Sequence, residues 1–344
     1  MTDLLSLHDV RMEYRRPGWL RRSQRPVVAL DRVSLAIRAR STFGLVGESG
    51  SGKSTIARIA LGLVSPTGGR VLFDGEDMYA RGAARRGGEI AAVFQDPSAA
   101  LNPRKRVCDI VSLPLRLHTG LSAREVSART RELLETVALS PADRFLDRFP
   151  HELSGGQRQR VVIARAIALR PRLIVADEPV SALDMSIRAQ VLATLADLKA
   201  SLDLTYLFIT HNMDVARAIC DDIGVLYLGR LAEVAPAAQL HSNPLHPYTR
   251  MLMDAVPKTR PTEARARQSL AVRGDVPAAD ELPAGCRFHP RCPHAFDACR
   301  HLEPPTVRVG ASLVACHLYT PQPKPSGDRH DANPRLDPRA QAAA

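Results

Sequence analysis

Residues 43–60 constrain the fold more than any other stretch of this 344-residue chain. An apolar run, Phe43 to Val46, predicts a buried strand; a glycine-rich turn follows, and Ile56, Ile59 and Ala60 then recur at helical spacing. Gly47 to Ser54 matches G-x-x-x-x-G-K-[ST], a phosphate-binding pattern. Glycines let successive backbone N–H groups converge on phosphate oxygens where side chains would intrude. A helix opening at Lys53 adds the positive end of its dipole. Lys53 is placed to reach the β- and γ-phosphates of a nucleoside triphosphate, and the Ser54 hydroxyl to ligate Mg²⁺. An ordinary glycine turn before a helix is the competing reading, and the later motifs decide against it.

The length predicts about two domains. No apolar run approaches the ~18 residues that a membrane-spanning helix needs, and the start, Met-Thr-Asp-Leu-Leu, has no charged-then-apolar signal pattern, so a cytoplasmic protein is expected. The net charge of +11 raises nucleic acid as a partner. Yet most basic residues are interleaved with Asp and Glu, and no nucleic acid is expected. The exception is Arg15 to Arg25, a basic stretch around Trp19, and Pro17 to Pro26 reads as a loop insertion between two strands.

Those strands are Leu4 to Tyr14 and Val27 to Ile37. Tyr14 has two readings: stacking on an adenine, or packing as an ordinary strand aromatic. Ile90 to Phe94 is a buried strand that ends at Gln95, and residues 107–139 are mainly helical. Leu153-Ser154-Gly155-Gly156-Gln157 precedes a strong helix and presents bare N–H groups at its start, a second anion site. Leu173 to Ala176 runs into Asp177-Glu178, two adjacent carboxylates that demand a cation or acid–base work. Ser181 to Asp184 turns into a helix over 185–201, and the strand Thr205 to Thr210 delivers His211. Strands alternating with helices, polar residues at strand ends, predict an α/β parallel sheet with its ligand at the carboxyl edge.

Taken together and in this order, Gly47–Thr55 (Gly47, Glu48, Ser49, Gly50, Ser51, Gly52, Lys53, Ser54, Thr55), Gln95, Leu153–Gln157, Asp177-Glu178, Asp184 and His211 resemble the ATPase subunits of ABC transporters. The resemblance implies an α/β P-loop NTPase (ABC ATPase) over 1–235 with a helical subdomain at about 100–165. It implies a Mg²⁺-dependent ATPase in which the Gly47–Thr55 loop cradles ATP. Ser54, Gln95 and Asp177 would serve Mg²⁺, Glu178 the attacking water, and His211 the γ-phosphate and the Asp184 turn. Ser154 to Gln157 would face ATP held by a second ATPase subunit.

Finer details resemble the oligopeptide/dipeptide/nickel importer ATPases: Gln95-Asp96-Pro97-Ser98, Pro150-His151-Glu152-Leu153, Asn243-Pro244-Leu245-His246-Pro247-Tyr248-Thr249-Arg250 and Gly285-Cys286-Arg287-Phe288-His289-Pro290-Arg291-Cys292. The F-type partner of that family, with its long loop before Val27, fits better. This implies a peripheral subunit at the cytoplasmic face of the inner membrane. It would pair with a second ATPase subunit beneath two integral membrane permease subunits and act indirectly with an extracytoplasmic substrate-binding protein. The rival is a soluble ABC ATPase acting on ribosomes or DNA. The transported solute is not legible.

After 236 the chain becomes Pro-rich, which predicts a small Cys-containing C-terminal domain over 236–320 and a disordered tail over 321–344. Cys286, Cys292, Cys299 and Cys316 follow C-x5-C-x6-C-x16-C, wider than the tight knuckles of structural zinc. A [4Fe–4S] cluster is expected, with zinc or free thiols and disulfides as alternatives. Cys108 and Cys220 are expected to be buried thiols.

Overall fold

The computed structural model describes residues 3–14, 26–80, 88–254, 277 and 281–320. The basic stretch Arg15 to Arg25 and the tail 321–344 lie outside the described residues.

Two sheets enclose the phosphate-loop helix. The larger has eight strands in the order β11 (Thr306–Val309), β12 (Ser312–Ala315), β10 (Arg230–Pro236), β9 (Asp222–Tyr227), β3 (Thr42–Val46), β8 (Thr205–Thr210), β7 (Leu173–Asp177) and β6 (Ile90–Val93). Its centre is β3 (Thr42–Val46), every residue buried, with β8 (Thr205–Thr210) and β9 (Asp222–Tyr227) parallel on its two sides. Beyond β8 come β7 (Leu173–Asp177) and β6 (Ile90–Val93), also parallel. Both faces of these strands are covered, so their apolar runs are continuous. Leu173, Val175, Leu207 and Ile209 pack on one side with Ile56 and Ile59 of α1 (Lys53–Ala60). Ile174, Ala176, Tyr206 and Phe208 pack on the other. The alternation follows from the two-residue period of a strand.

Facing the far side of α1 is a four-stranded antiparallel sheet, ordered β2-β1-β4-β5. It comprises β1 (Asp3–Tyr14), β2 (Val27–Arg38), β4 (Gly68–Phe73) and β5 (Glu76–Asp77). Leu5, Leu30, Ile37 and Phe73 close over the helix from that side. The expected α/β parallel sheet is present in β6, β7, β8, β3 and β9, and the separate antiparallel sheet is an addition to it. Strand existence was readable from composition, but pairing direction depends on long-range register that no local pattern encodes.

The helical expectation over 107–139 resolves into α3 (Val107–His118) and α4 (Ala123–Thr136), joined by a turn. Ser122 caps α4 reciprocally with Glu125, the arrangement that starts a helix after a break. Both pack with α5 (Gly155–Ala166) through Val111, Leu115, Leu133, Leu134, Val161 and Val162. α6 (Met185–Leu202) and α7 (Met213–Ile219) complete the covering of the large sheet.

Past β9, the strand β10 (Arg230–Pro236) turns back antiparallel, and the hairpin of β11 (Thr306–Val309) and β12 (Ser312–Ala315) adds to its open edge. The cysteine-bearing segment thus prolongs the same sheet that carries the phosphate loop. Two helices, α8 (Ala237–Ser242) and α9 (Pro247–Asp254), lie between. Among the described residues no helix is long and apolar enough to cross a membrane.

Candidate nucleotide site

The carboxyl ends of β3, β6, β7 and β8 open onto one cavity of about 620 Å³. Ser49, Gly50, Gly52, Lys53, Ser54 and Thr55 line it from the loop after β3, Gln95 from the end of β6, Glu178 from β7 and His211 from β8. Parallel strands place their ends on one edge, which is why residues far apart in the chain meet here. Gly50 and Gly52 take φ values of 77° and 109°, backbone that only glycine adopts cheaply. A Cβ on Gly47 would stand 2.2 Å from the Leu226 carbonyl oxygen, so the loop lies hard against β9.

Lys53 is held over the loop, donating from Nζ to the carbonyls of Gly47 at 2.7 Å and Glu48 at 2.8 Å. Burial lowers its pKa, while the carboxylates of Glu178, Asp177 and Glu48 act to raise it. Burial, followed by the neighbouring Glu178 carboxylate, pushes the Asp177 pKa up; Lys53 and a hydrogen bond from Ser54 work against that shift. Two carboxylates crowded beside a hydroxyl form a donor set that a hard divalent cation suits, because its charge relieves both. Mg²⁺ therefore fits these residues. Glu178 adopts a left-handed backbone, φ 49°, and its Oε1 lies 3.0 Å from His211 Nδ1. Such strain in a non-glycine residue concentrates at functional strand ends.

Ser154, Gly155, Gly156 and Gln157 lie apart from this cavity, at the start of α5. Ser154 accepts from the Gln157 N–H, and Gln157 Oε1 accepts from the Ser154 N–H at 3.0 Å. Leu153 is buried and anchors the turn. A Cβ on Gly156 would meet the Ile187 side chain at 2.5 Å, so glycine lets α5 approach α6. Asp184 is exposed at the N-terminus of α6, beside Met185, which is 83% exposed.

Residues 30–181 match the family model described as ABC transporter, and residues 232–299 match the oligopeptide/dipeptide transporter C-terminal region. The chain is 44% identical over 325 residues to the oligopeptide transport ATP-binding protein AppF of Bacillus subtilis, covering 92% of this chain and 98% of that one. It belongs to the ABC transporter ATP-binding family. A putative peptide import ATP-binding protein of Brucella abortus is 48% identical over 85% of this chain and 86% of its own. The di/tripeptide transport ATP-binding protein DppF of Pseudomonas aeruginosa is 40% identical over 92% and 98%. Among solved structures, a dimeric ATP-binding cassette bound to ADP and Pi superposes with a TM-score of 0.60 at 31% identity, over 68% of this chain and 98% of that one.

Within this ABC ATPase, several expected ligands stand elsewhere. Tyr14 packs against the core cluster around α1 and does not line the cavity. Gly47, Glu48 and Ser51 belong to the loop and are not among the residues that line the cavity. The Glu48 N–H donates to the Tyr248 hydroxyl at 2.9 Å, and its carboxylate is gripped by Arg291. Conversely, Val27, Val28, Ala29, Leu228 and Leu282 line the cavity, contributions that local sequence patterns did not reveal.

Cys286, Cys292, Cys299 and Cys316 share one small pocket with His246, His289, His294 and His317. Their donor chemistry is that of a tetrathiolate site, yet among the described residues no three such side chains are arranged to hold a metal ion. The four thiols expected as ligands are neighbours in this pocket. None of the four is in a disulfide, and burial pushes Cys286 up to about 12 and Cys292 up to about 11. Cys220 is buried as expected, whereas Cys108 is half-buried.

Proposed function

We propose that this chain is the ATP-binding and hydrolysing subunit that powers an importer of peptides or similar small solutes. The observation that carries this reading is the single cavity joining Lys53, Ser54, Gln95, Glu178 and His211, in a chain whose C-terminal region matches that of oligopeptide transporters. ATP, once bound, carries the triphosphate charge that the loop N–H groups and Lys53 are shaped to meet. Ser54, Gln95 and Asp177 would hold Mg²⁺. Glu178 is the group that orients water and takes its proton, and His211, hydrogen-bonded to it, fixes its direction.

The signature turn at Ser154 to Gln157 is an anion cradle that its own cavity does not use. This favours a head-to-tail pair in which each subunit completes the other's site, so that ATP binding closes the pair and hydrolysis reopens it. The exposed Met185 beside Asp184 suits the same contact. Two permease subunits, a second ATPase of this or a sister type, and peripheral attachment at the cytoplasmic face of the inner membrane complete the proposal. The four-thiol pocket supports a finer reading, a [4Fe–4S] cluster or alternatively zinc. Iron, sulfide and zinc contents of anaerobically purified protein decide among these and free thiols.

Glu178→Gln is expected to retain ATP binding and to lower the steady-state hydrolysis rate by about 100-fold or more. It should also trap an ATP-dependent dimer on size exclusion. Full hydrolysis by this variant would remove Glu178 from the reaction. Failure of the unaltered protein to bind ATP would overturn the whole assignment.

A further inference from the structure

The cysteine-bearing segment reaches the phosphate loop directly through Arg291 and indirectly through Arg287. Arg291, one residue before Cys292, makes a two-pronged ion pair with Glu48: Nη1 to Oε2 at 2.7 Å and Nη2 to Oε1 at 3.0 Å. The Arg291 side chain is 7% exposed and that of Glu48 26%. The guanidinium also lies over the Tyr227 and Phe288 rings, at 5.8 and 5.9 Å from their centroids. Tyr248 completes that aromatic cluster and accepts the Glu48 N–H. Arg287, one residue after Cys286, donates to the Leu228 carbonyl and to Asp31. The adjoining Gly229 N–H in turn donates to the Ser51 carbonyl at 2.8 Å. Both ends of the loop's first turn, Glu48 and Ser51, are thus tied to the segment 286–292, one directly and the other through the 228–229 turn.

We propose that Arg291 is a positioning residue for the phosphate loop. By holding the Glu48 carboxylate, it keeps the loop in its phosphate-receiving shape and makes ATP affinity depend on the packing of the cysteine-bearing segment. The argument is electrostatic as well as geometric. Glu48 lies within the field of Lys53, and a carboxylate released from Arg291 would compete with ATP for that ammonium and repel the phosphates. A two-pronged guanidinium pair fixes direction in a way that a lysine cannot. The inference rests on the loop being an ATP site, as proposed above, and goes beyond it by assigning the C-terminal segment a part in nucleotide binding.

The test uses the purified full chain and equilibrium titration with a fluorescent ATP analogue, alongside hydrogen exchange of the amides over 47–52 without nucleotide. Arg291→Gln is expected to weaken binding about tenfold and Arg291→Lys less, with the hydrolysis rate at saturating ATP within about twofold of the unaltered protein. Glu48→Gln and the double variant Glu48→Gln/Arg291→Gln are each expected to bind only about threefold more weakly, since neither leaves an unpaired carboxylate. Loop amides should exchange faster in all three Gln variants.

Wild-type affinity in Arg291→Gln would overturn the proposal. A double variant as weak as Arg291→Gln would do so too, because Arg291 would then act only by holding its own segment together. If Arg291→Gln does not fold, Glu48→Gln carries the test: unchanged exchange over 47–52 would sink it. Absence of ATP binding by the unaltered chain would count against the ATP site itself, a separate failure.

Discussion

At the scale of single residues, charge placement decides what the site and its supports tolerate. Asp31 accepts from Arg230 at 2.6 Å and from Arg287. Burial works to raise its pKa, but the hydrogen bond and charge of Arg230, then the charge of Arg287, outweigh it and hold the carboxyl below its ordinary 3.8. A lowered folded pKa means that the stabilisation is fully present above about pH 4 and is lost as pH falls through the folded value. Asp31→Asn is therefore expected to lose about 1–2 kcal/mol at pH 7, less than a fully dry pair because solvent reaches part of the group. The gap to the unaltered protein should narrow progressively as pH falls below about 4 in urea titrations. A gap that does not narrow at all with falling pH would show that Asp31 matters by shape and not by charge.

At the scale of elements, the phosphate loop and the helix starts show how tightly backbone geometry is specified. Gly47→Ala would drive a methyl group into the Leu226 carbonyl and the Ser51 hydroxyl. Overpacking of this kind costs about 1–3 kcal/mol. Because β9 cannot yield without disturbing β3, the loop must move, and ATP affinity is expected to fall about tenfold or more. Near-normal affinity, measured by titration, would mean that the loop slides without penalty. Ser154→Ala removes the oxygen that accepts the Gln157 N–H at 3.3 Å. The loss should be about 1 kcal/mol of stability, together with a fall in hydrolysis larger than that loss explains, if the turn also meets a partner's ATP. Equal, small losses in both would confine Ser154 to capping.

At the scale of the whole molecule, the chain after Pro236 completes the sheet. β12 covers the edge of β10, and buried Glu233 accepts from the N–H groups of Leu245 and His246, at 3.0 and 2.9 Å. Truncation after Pro236 would leave that carboxylate without those donors and bare an open strand edge beside Tyr227. Thermal unfolding of the truncated chain should begin about 10 °C lower or more, with aggregation on size exclusion. A monomeric, equally stable truncation would show the C-terminal segment to be an independent appendage.

Elements and their chemistry were legible in the local residue pattern. Lys53, Ser54, Gln95, Glu178 and His211 were legible because each sits where an apolar strand ends, and such ends must gather on one edge of a parallel sheet. The start of α5 was legible too, since Ser154 advertises it by its own side chain, whereas the break before α4 at Ser122 emerged only in the structure. Pairing across distance emerged only in the folded chain. The antiparallel second sheet, the direction in which Glu48 turns, and the packing of Tyr14 depend on register and on partners such as Arg291, 243 residues along the chain from Glu48. Cysteine spacing announced a cluster, but whether thiols face one another as ligands depends on side-chain directions that spacing does not carry. Local patterns record what a residue can do; contact between distant residues is settled only when burial of the whole core selects one packing.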